Sequence, residues 1–373
     1  MTTHETVIWE TLTGQHLETV EASEGNWERG RVTDLNHVFQ IDALGLNPAD
    51  RADLFGEDCP RDRVLTELVD GTPIYHGLIV DWDYDDNAGT YTVTHVDLRE
   101  LLTGRYLFGV GGYHSDGVFD WTGLSWRGMA SRALYYLLRY QDSPRWAVPI
   151  NLPPEEAGDE VFRTWCYEMK LGESILADIE GRPGGPDVDF QPGFFGSGYG
   201  WEALIGSPFL TGPDVEVVLG ADASPVKNLK IARRGRAVST GVFGIGDGSE
   251  QRLQVAQVPA AADGRIVRDS KVTFKKDTGV TVDSQLHKRA EGYLAARQKP
   301  TQRWSFDLDA DAVDLTTLRL GSIIYVQSEG HRFAPDGESA HRVLGFAGSL
   351  AEPETVKLTL ETLQDAEDGD SDG

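Results

Sequence analysis

A chain of 373 residues, 40% of them hydrophobic, is long enough for two or three domains with separate cores. It carries 34 Lys and Arg against 60 Asp and Glu, a net charge of −26, which works against general nucleic-acid binding because that needs a basic footprint. No run of about 18 apolar residues occurs, so no membrane span is expected. Met1–Glu10 lacks the basic-then-apolar order of a signal peptide. The two cysteines, Cys59 and Cys166, are too few for a disulfide framework or a zinc cluster and are expected to be reduced.

Strand signals come first. Thr6–Trp9 and Gln15–Glu21 flank Thr13-Gly14, and Trp27–Arg29 with Leu35–Asp42 suggests a third strand. Asn47–Cys59 reads as a connector containing Pro and Asp. Arg63–Val69 is a strand leading to a turn at Asp70-Gly71. Ile74–Trp82 is rich in β-formers, Asp85–Gly89 is a polar hairpin turn, and Tyr91–Val96 alternates with strand periodicity. Asp97 can cap a short helix, Leu98–Thr103, that Gly104 ends.

Gly77 and Val80 on one strand, then Thr94, Asp97, Leu98, Leu101, Leu102 and Arg105 across the strand-to-helix turn, make a pattern that resembles the first barrel of phage tail hub proteins. These proteins form the tail tip or baseplate hub of long-tailed phages. The rest of the chain is read beside that resemblance.

Gly109–Gly123, with Tyr113, Phe119 and Trp121, reads as an irregular connector; no Gly-Lys-Ser/Thr follows to make a phosphate loop. Ser125–Tyr140 is the clearest helix, with Met129, Ala133, Leu137 and Tyr140 on one face and Trp126, Ala130 and Leu134 widening it. Ser143–Pro154 is a proline-punctuated loop, Val161–Tyr167 a strand, and Leu171–Glu180 a second helix stopped by Gly181. The Gly184-Gly185-Pro186-Asp187 turn and the Val188-Asp189-Phe190-Gln191-Pro192 strand after it look like the middle domain of minor tail proteins from actinobacterial phages. Gly193–Trp201 reads as a glycine-rich hairpin with core aromatics. Its Phe194, Phe195, Tyr199 and Trp201 are also a candidate contact loop for glycan or a protein partner, since aromatic faces stack on sugars.

From Val215 strands dominate: Val215–Leu219, Val226–Ala232, Ala237–Gly244, Leu253–Val258, Lys271–Phe274, Arg303–Leu308, Ser322–Ser328, His341–Phe346 and Thr355–Glu361. One helix, Gln285–Gln298, carries Leu286, Ala290, Tyr293 and Leu294 on one face and is closed by Lys299-Pro300. Thr240–Gly246, Trp304–Leu308, Leu320–Val326 and His341–Phe346 resemble parts of a second hub barrel. Asp365–Gly373 is acidic and lacks apolar residues, as a disordered tail would.

The resemblance covers about residues 5–362. It implies a mainly β protein with an α+β insertion: two hub-type β-barrels flanking a middle α/β domain. The divisions are 1–104 (first barrel), 105–214 (middle), 215–362 (second barrel, with one helix) and 363–373 (acidic tail). Ile74, Tyr75, Leu78, Val80, Tyr91, Val93, Val242, Phe243, Ile323, Tyr325, Val343 and Phe346 are expected to shape the barrels. The family forms homotrimers in which six like barrels make a pseudo-sixfold ring. Such a ring meets the distal tail or tail tube ring, the tape-measure protein and downstream tail-tip or fibre proteins, and DNA passes through its lumen. An acidic lumen wall would keep phosphates from sticking. The implied location is the virion, after synthesis in the host cytoplasm.

For chemistry, the sequence offers no His-Glu-x-x-His, no Cys pair at metal spacing and no Gly-x-Ser-x-Gly elbow. His76 and His95 stand on the two hairpin strands, where they could face each other; two histidines alone make a poor metal site. Asp81, Asp83, Asp85 and Asp86 begin like a calcium loop. However, Asp86 replaces the sixth-position glycine and Thr92 the twelfth-position glutamate, so a solvated hairpin tip is expected. No catalytic residue, metal ligand or cofactor is expected. The alternatives are a virion-associated polysaccharide or cell-wall hydrolase using a carboxylate pair, and a carbohydrate-binding adhesin.

Overall fold

The computed structural model describes residues 3–30, 33–56, 59–108, 112–140, 146–182, 184–220, 224–236, 238–246, 253–259, 266–273, 283–295, 297–298 and 300–363. The expected acidic tail lies outside them from residue 364 onward, as do Gly109, Gly111, Ser143, Pro144, Pro183, Ala237, Phe274 and Lys299. The protein is mostly β. It divides into two compact units, Met1–Lys230 with Trp304–Gly373, and Ile231–Arg303.

The first part of the larger unit contains β1 (His4–Glu10), β2 (His16–Val20), β3 (Glu24–Arg29), β4 (Leu35–Gln40), β5 (Arg63–Val69), β6 (Thr72–Asp85) and β7 (Thr90–Val96). Period-two alternation sorts their side chains into two cores. Ile8, Leu65, Ile79 and Val93 join Phe39, Leu54 and Phe55 on one face; Trp9, Val64, Leu78 and Val96 join the middle segment on the other. All seven residues of β5 are therefore buried. The expected Asn47–Cys59 connector is instead helix α1 (Pro48–Phe55), followed by a single turn, α2 (Cys59–Asp62). Asn47 Oδ1 accepts from the Ala49 and Asp50 N–H groups, and Pro48 opens the helix where no N–H is needed.

Strand order here is β3-β4-β7-β6-β5-β1-β2, with every neighbouring pair antiparallel. The two ends of this path, β2 and β3, are joined by residues 21–23 alone. Three linking residues reach about 14 Å, whereas a flat seven-stranded sheet would separate its ends by about 29 Å. The sheet must therefore curl around the Phe39–Leu65–Val93 core.

The middle segment has a 3₁₀ helix (Leu98–Gly104), β8 (Val118–Leu124), α3 (Trp126–Leu134) running into a π-helical turn (Tyr135–Arg139), β9 (Ile150–Asn151), β10 (Ala157–Trp165), α4 (Gly172–Glu180), β11 (Val188–Phe195) and β12 (Gly198–Ile205). Ser125 caps α3 through the Gly128 N–H. The expected apolar face is buried at Met129, Ala133 and Leu137, with Trp126, Ala130 and Leu134 beside it. The predicted irregular stretch before Gly123 is a strand from Val118, paired antiparallel with β10.

A second sheet contains β13 (Asp214–Leu219), β14 (Val226–Arg234), β18 (Thr301–Asp309), β19 (Ile323–Ser328), β20 (Gly337–Ser349) and β21 (Thr355–Thr362), in the order β13-β19-β20-β21-β18-β14; it belongs to the larger unit except for β14 beyond Lys230 and β18 before Trp304. Its ends are again consecutive in the chain. Ser224 Oγ donates to Val218 O at 2.6 Å and accepts from the Val226 N–H at 3.2 Å. The two edges thus meet at one end, where a flat sheet would hold them about 24 Å apart. This second curled sheet encloses Trp304, Phe306, Leu308, Ile324, Val326, Val343, Leu358 and Leu360, all buried.

Two expectations change. Neither ladder closes into a barrel among the described residues; both sheets are curled and open. Nor are they separate, because β20 forks. Its first half pairs with β19 and its last four residues, Phe346–Ser349, pair with Asn26–Arg29 of β3. One 13-stranded sheet results. Val242 and Phe243 were expected in the second barrel but lie in the smaller unit.

That unit holds β15 (Gly241–Ile245) between β16 (Val255–Val258, antiparallel) and β17 (Asp269–Thr273, parallel), with α5 (Asp283–Ala295). Leu286, Ala290 and Leu294 form the buried face of α5, as its periodicity predicts, and Val242 packs on Ala290 and Leu294.

Candidate functional site

Many of the buried polar residues among those described belong to the first curled sheet and its junction with the middle segment. Within the sheet, β4, β5, β6 and β7 contribute one buried line. Tyr75 Oη lies 2.9 Å from His95 Nδ1, His95 Nε2 lies 2.8 Å from His37 Nδ1, and Glu67 Oε1 takes the Thr6 hydroxyl at 2.8 Å. His37 Nε2 is 2.9 Å from Glu67 Oε1, although off hydrogen-bond alignment. With both imidazoles neutral, one assignment satisfies the line: Tyr75 donates to His95, His95 donates to His37, and the remaining His37 N–H faces the carboxylate. Burial, with the nearby His37 imidazole adding to it, holds His95 well below the usual histidine range. Burial also drives the Tyr75 phenol well above its ordinary value.

Two glycines make room for this line. A Cβ on Gly25 would stand 2.2 Å from the His37 ring, and one on Gly77 would stand 2.4 Å from His95 Nδ1. His76 and His95, expected to face each other, do not. His76 points to the other side, with Nδ1 2.6 Å from Thr66 Oγ1 and Nε2 3.1 Å from Gly200 O. It is held neutral by burial, its pKa lowered to about 4.

The strand-to-helix turn works as a docking device. Asp97, half-buried, caps the 3₁₀ helix at the Arg99 N–H, and its desolvation raises its pKa to about 6. Leu98 and Leu102 enter the core. Arg99 forks onto Glu173 and Glu180 of α4, and Arg105 donates to the Leu137 and Trp146 carbonyls at 2.7 and 2.8 Å. The first of those carbonyls belongs to the π-helical turn, whose altered pitch frees acceptors. Across the same junction Arg29 of β3 pairs with Asp189 of β11, donates to Gln191 Oε1 at 3.0 Å and covers the Phe346 ring of β20. Three distant segments thus meet at one guanidinium. The composition gave no signal for this; only the fold brings Arg29 to Asp189.

The four aromatics of the candidate contact loop separate. Trp201 is 1% exposed and packs on Trp9 at 5.0 Å between ring centres. Tyr199 stacks on Trp9, and Phe195 lies under Arg139. Phe194, 55% exposed, presents its ring to solvent near the hairpin turn and leans on Tyr199.

Elsewhere, a cleft of about 580 Å³ is lined by His4, Asp70, Asp311, Asp314 and Glu354 among others. Asp70 accepts from the Thr3 N–H and hydroxyl, tying the start of the chain to the β5–β6 turn, and Asp314 accepts from those of Thr316 as the cap of its own turn. At the β6–β7 tip Asp85 caps the Asn87 and Ala88 N–H groups. Among the described residues no three metal-ligating side chains converge. Cys59 and Cys166 are both free and buried, and burial pushes the Cys59 thiol up to about 12.

No family model and no curated protein sequence matches the chain. Its fold does match solved structures. A 43 kDa tail protein of prophage MuSo2 from Shewanella oneidensis superposes with a TM-score of 0.59 at 14% identity, covering 97% of this chain and 98% of that one. A tail protein from Neisseria meningitidis MC58 gives 0.55 at 10% identity, covering 97% of both. The prophage tail protein gp18 from Listeria monocytogenes EGD-e gives 0.51 at 8%, covering 97% and 95%. The chain thus has the fold of phage tail proteins along nearly its whole length.

Proposed function

We propose that this chain is a structural tail-tip (baseplate) hub protein of a long-tailed phage and acts without catalysis. The observation that carries the reading is end-to-end likeness of fold to prophage tail proteins, covering 97% of this chain. Two curled sheets per chain add a physical reason. Three subunits would present six like surfaces to a sixfold tail tube, so a homotrimeric pseudo-hexameric ring closes by symmetry. In this reading the curled sheets within 1–104 and 215–362 are the two ring-forming parts and 105–214 is the middle domain. The lumen passes DNA past an acidic wall, and the two faces meet the distal tail or tube ring, the tape-measure protein and tail-tip or fibre proteins. The Gly184–Pro192 turn and strand point to an actinobacterial phage.

Light scattering of the purified chain, with negative-stain microscopy, tests this. A ring of three 41.0 kDa subunits supports it. A compact monomer that binds or cleaves host glycan overturns it.

One observation favours a second role on the same scaffold: the exposed Phe194 ring beside Tyr199. It would offer a stacking face for a glycan or partner loop. Binding on a glycan array, lost in Phe194→Ser, tests that reading.

A further inference from the structure

Charge is divided unevenly between the two units. Of the chain's 34 basic and 60 acidic residues, 14 basic and 7 acidic fall in Ile231–Arg303, leaving 20 and 53 in the larger unit. A strongly acidic protein therefore carries a small basic unit inserted between two strands of its second curled sheet.

Most of the described basic side chains of this unit face solvent. Arg234, Arg236, Arg268, Lys271, Lys288 and Arg303 are exposed, and none is ion-paired to a described carboxylate. Main-chain bonds draw several of them to one end of β15. The Thr240 N–H donates to Arg268 O at 2.9 Å, the Ser239 N–H to Arg297 O at 3.0 Å, and Arg236 adjoins the turn closed by the Val238 N–H on Gly235 O. Like charges at one end of a small fold repel each other. A complementary surface would relieve that repulsion.

We infer that this basic unit is an interaction surface for the acidic larger unit of a neighbouring copy. The inference rests on the ring reading and supplies a contact for it. Positive on one part and negative on another makes a head-to-tail interface, the kind that closes rings. Counterions screen beyond about 8 Å at physiological salt, so contact surfaces decide and the net charge of each copy does not forbid the pairing. A nucleic acid fits less well. Single strands need open aromatic faces, and Tyr293 on α5 is half-buried with the Arg297 guanidinium 4.4 Å above its ring. The larger unit would also repel a polyanion.

The test is sedimentation and light scattering of the full chain at low, physiological and high salt, with two charge-matched variants. One carries Arg234→Glu, Arg236→Glu, Lys271→Glu and Lys288→Glu. The other carries Arg61→Glu, Lys230→Glu, Arg332→Glu and Lys357→Glu, outside the basic unit. The expected result is self-association that weakens with salt and is lost by about tenfold or more in the first variant. The second should change it far less. Equal weakening in both overturns the inference and leaves the ring reading standing. So does unchanged assembly with a lower melting temperature in the first, which would assign these cations to the chain's own body. A wild type that never self-associates but shifts double-stranded DNA through these residues replaces the neighbouring copy with nucleic acid. A wild type that does neither overturns the inference outright.

Discussion

His37 and His95 stand ring to ring, Nδ1 to Nε2 at 2.8 Å, with neither side chain reached by solvent. The shared bond needs one donor and one acceptor, so the two rings cannot both be protonated without setting two donors against each other. Tyr75 and Glu67 face the pair from β6 and β5, and Thr6 faces Glu67 from β1.

Acid should therefore loosen the fold well above the carboxylate range. His76, His95 and His341 all have lowered folded pKa values, the first and last to about 4, each chiefly through burial. The unfolded chain takes up protons near pH 6.5 and the folded chain does not. Their contribution is complete above that pH and is lost as pH falls toward 4. For His76 alone the loss is about 3 kcal/mol. Asp97, raised to about 6 by burial, acts in the opposite sense. Its protonated form favours the fold at low pH, and that advantage disappears as pH rises through 6. Three histidines against one carboxylate give a net loss on acidification. Melting temperature measured from pH 7.5 to 4 should drop steeply below 6.5; a flat profile would refute the neutral assignment.

Gly77→Ala should cost about 1–3 kcal/mol, and more if the His95 ring cannot move, because overpacking drives neighbours off their rotamers. The new methyl would also meet the Tyr75 ring at 2.8 Å. Gly71→Ala is a contrast, since no atom lies within 4 Å of its Cβ position and only its φ of 77° opposes the change. Urea denaturation of the two variants separates crowding from backbone strain.

Breaking the Arg29–Asp189 pair from one side should cost about 3–5 kcal/mol, since a buried charge is left alone. Arg29→Met with Asp189→Leu should recover much of that. Chemical denaturation of the single and double variants gives the coupling. Additive losses would mean the two residues act separately.

The contact-loop aromatics should divide by role. Trp201→Ala is expected to cost about 3–5 kcal/mol by emptying a core site. Phe194→Ala should leave stability within about 0.5 kcal/mol. If both melt alike, the hairpin tip is part of the core.

Local patterns were legible where they depend on near neighbours. Asp97, Leu98, Leu102 and Arg105 fall in one short segment, and each acts where its type and spacing suggest. The apolar faces of α3, α4 and α5 followed from their periodicity. Asn47-Pro48 also carried a helix-start signal, but the polar residues after it masked a helix that buries only Leu54 and Phe55. Pairing between distant strands was not legible. Neither the β20–β3 ladder nor the His37–His95 contact has a local signature, because each depends on how far the sheet curls. His76 was misplaced because in the β6–β7 ladder His95 pairs with Ile79, so alternation along β6 puts His76 on the opposite face.

The fork in β20 has a mechanical consequence. Tension on the first curled sheet passes into the second along main chain, from Asn26–Arg29 through Phe346–Ser349 to the strands beyond. The two halves therefore cannot swivel as beads on a string. Twisting one must shear that ladder or twist the other, so a torque applied to one sheet of the larger unit arrives at the other with little slack.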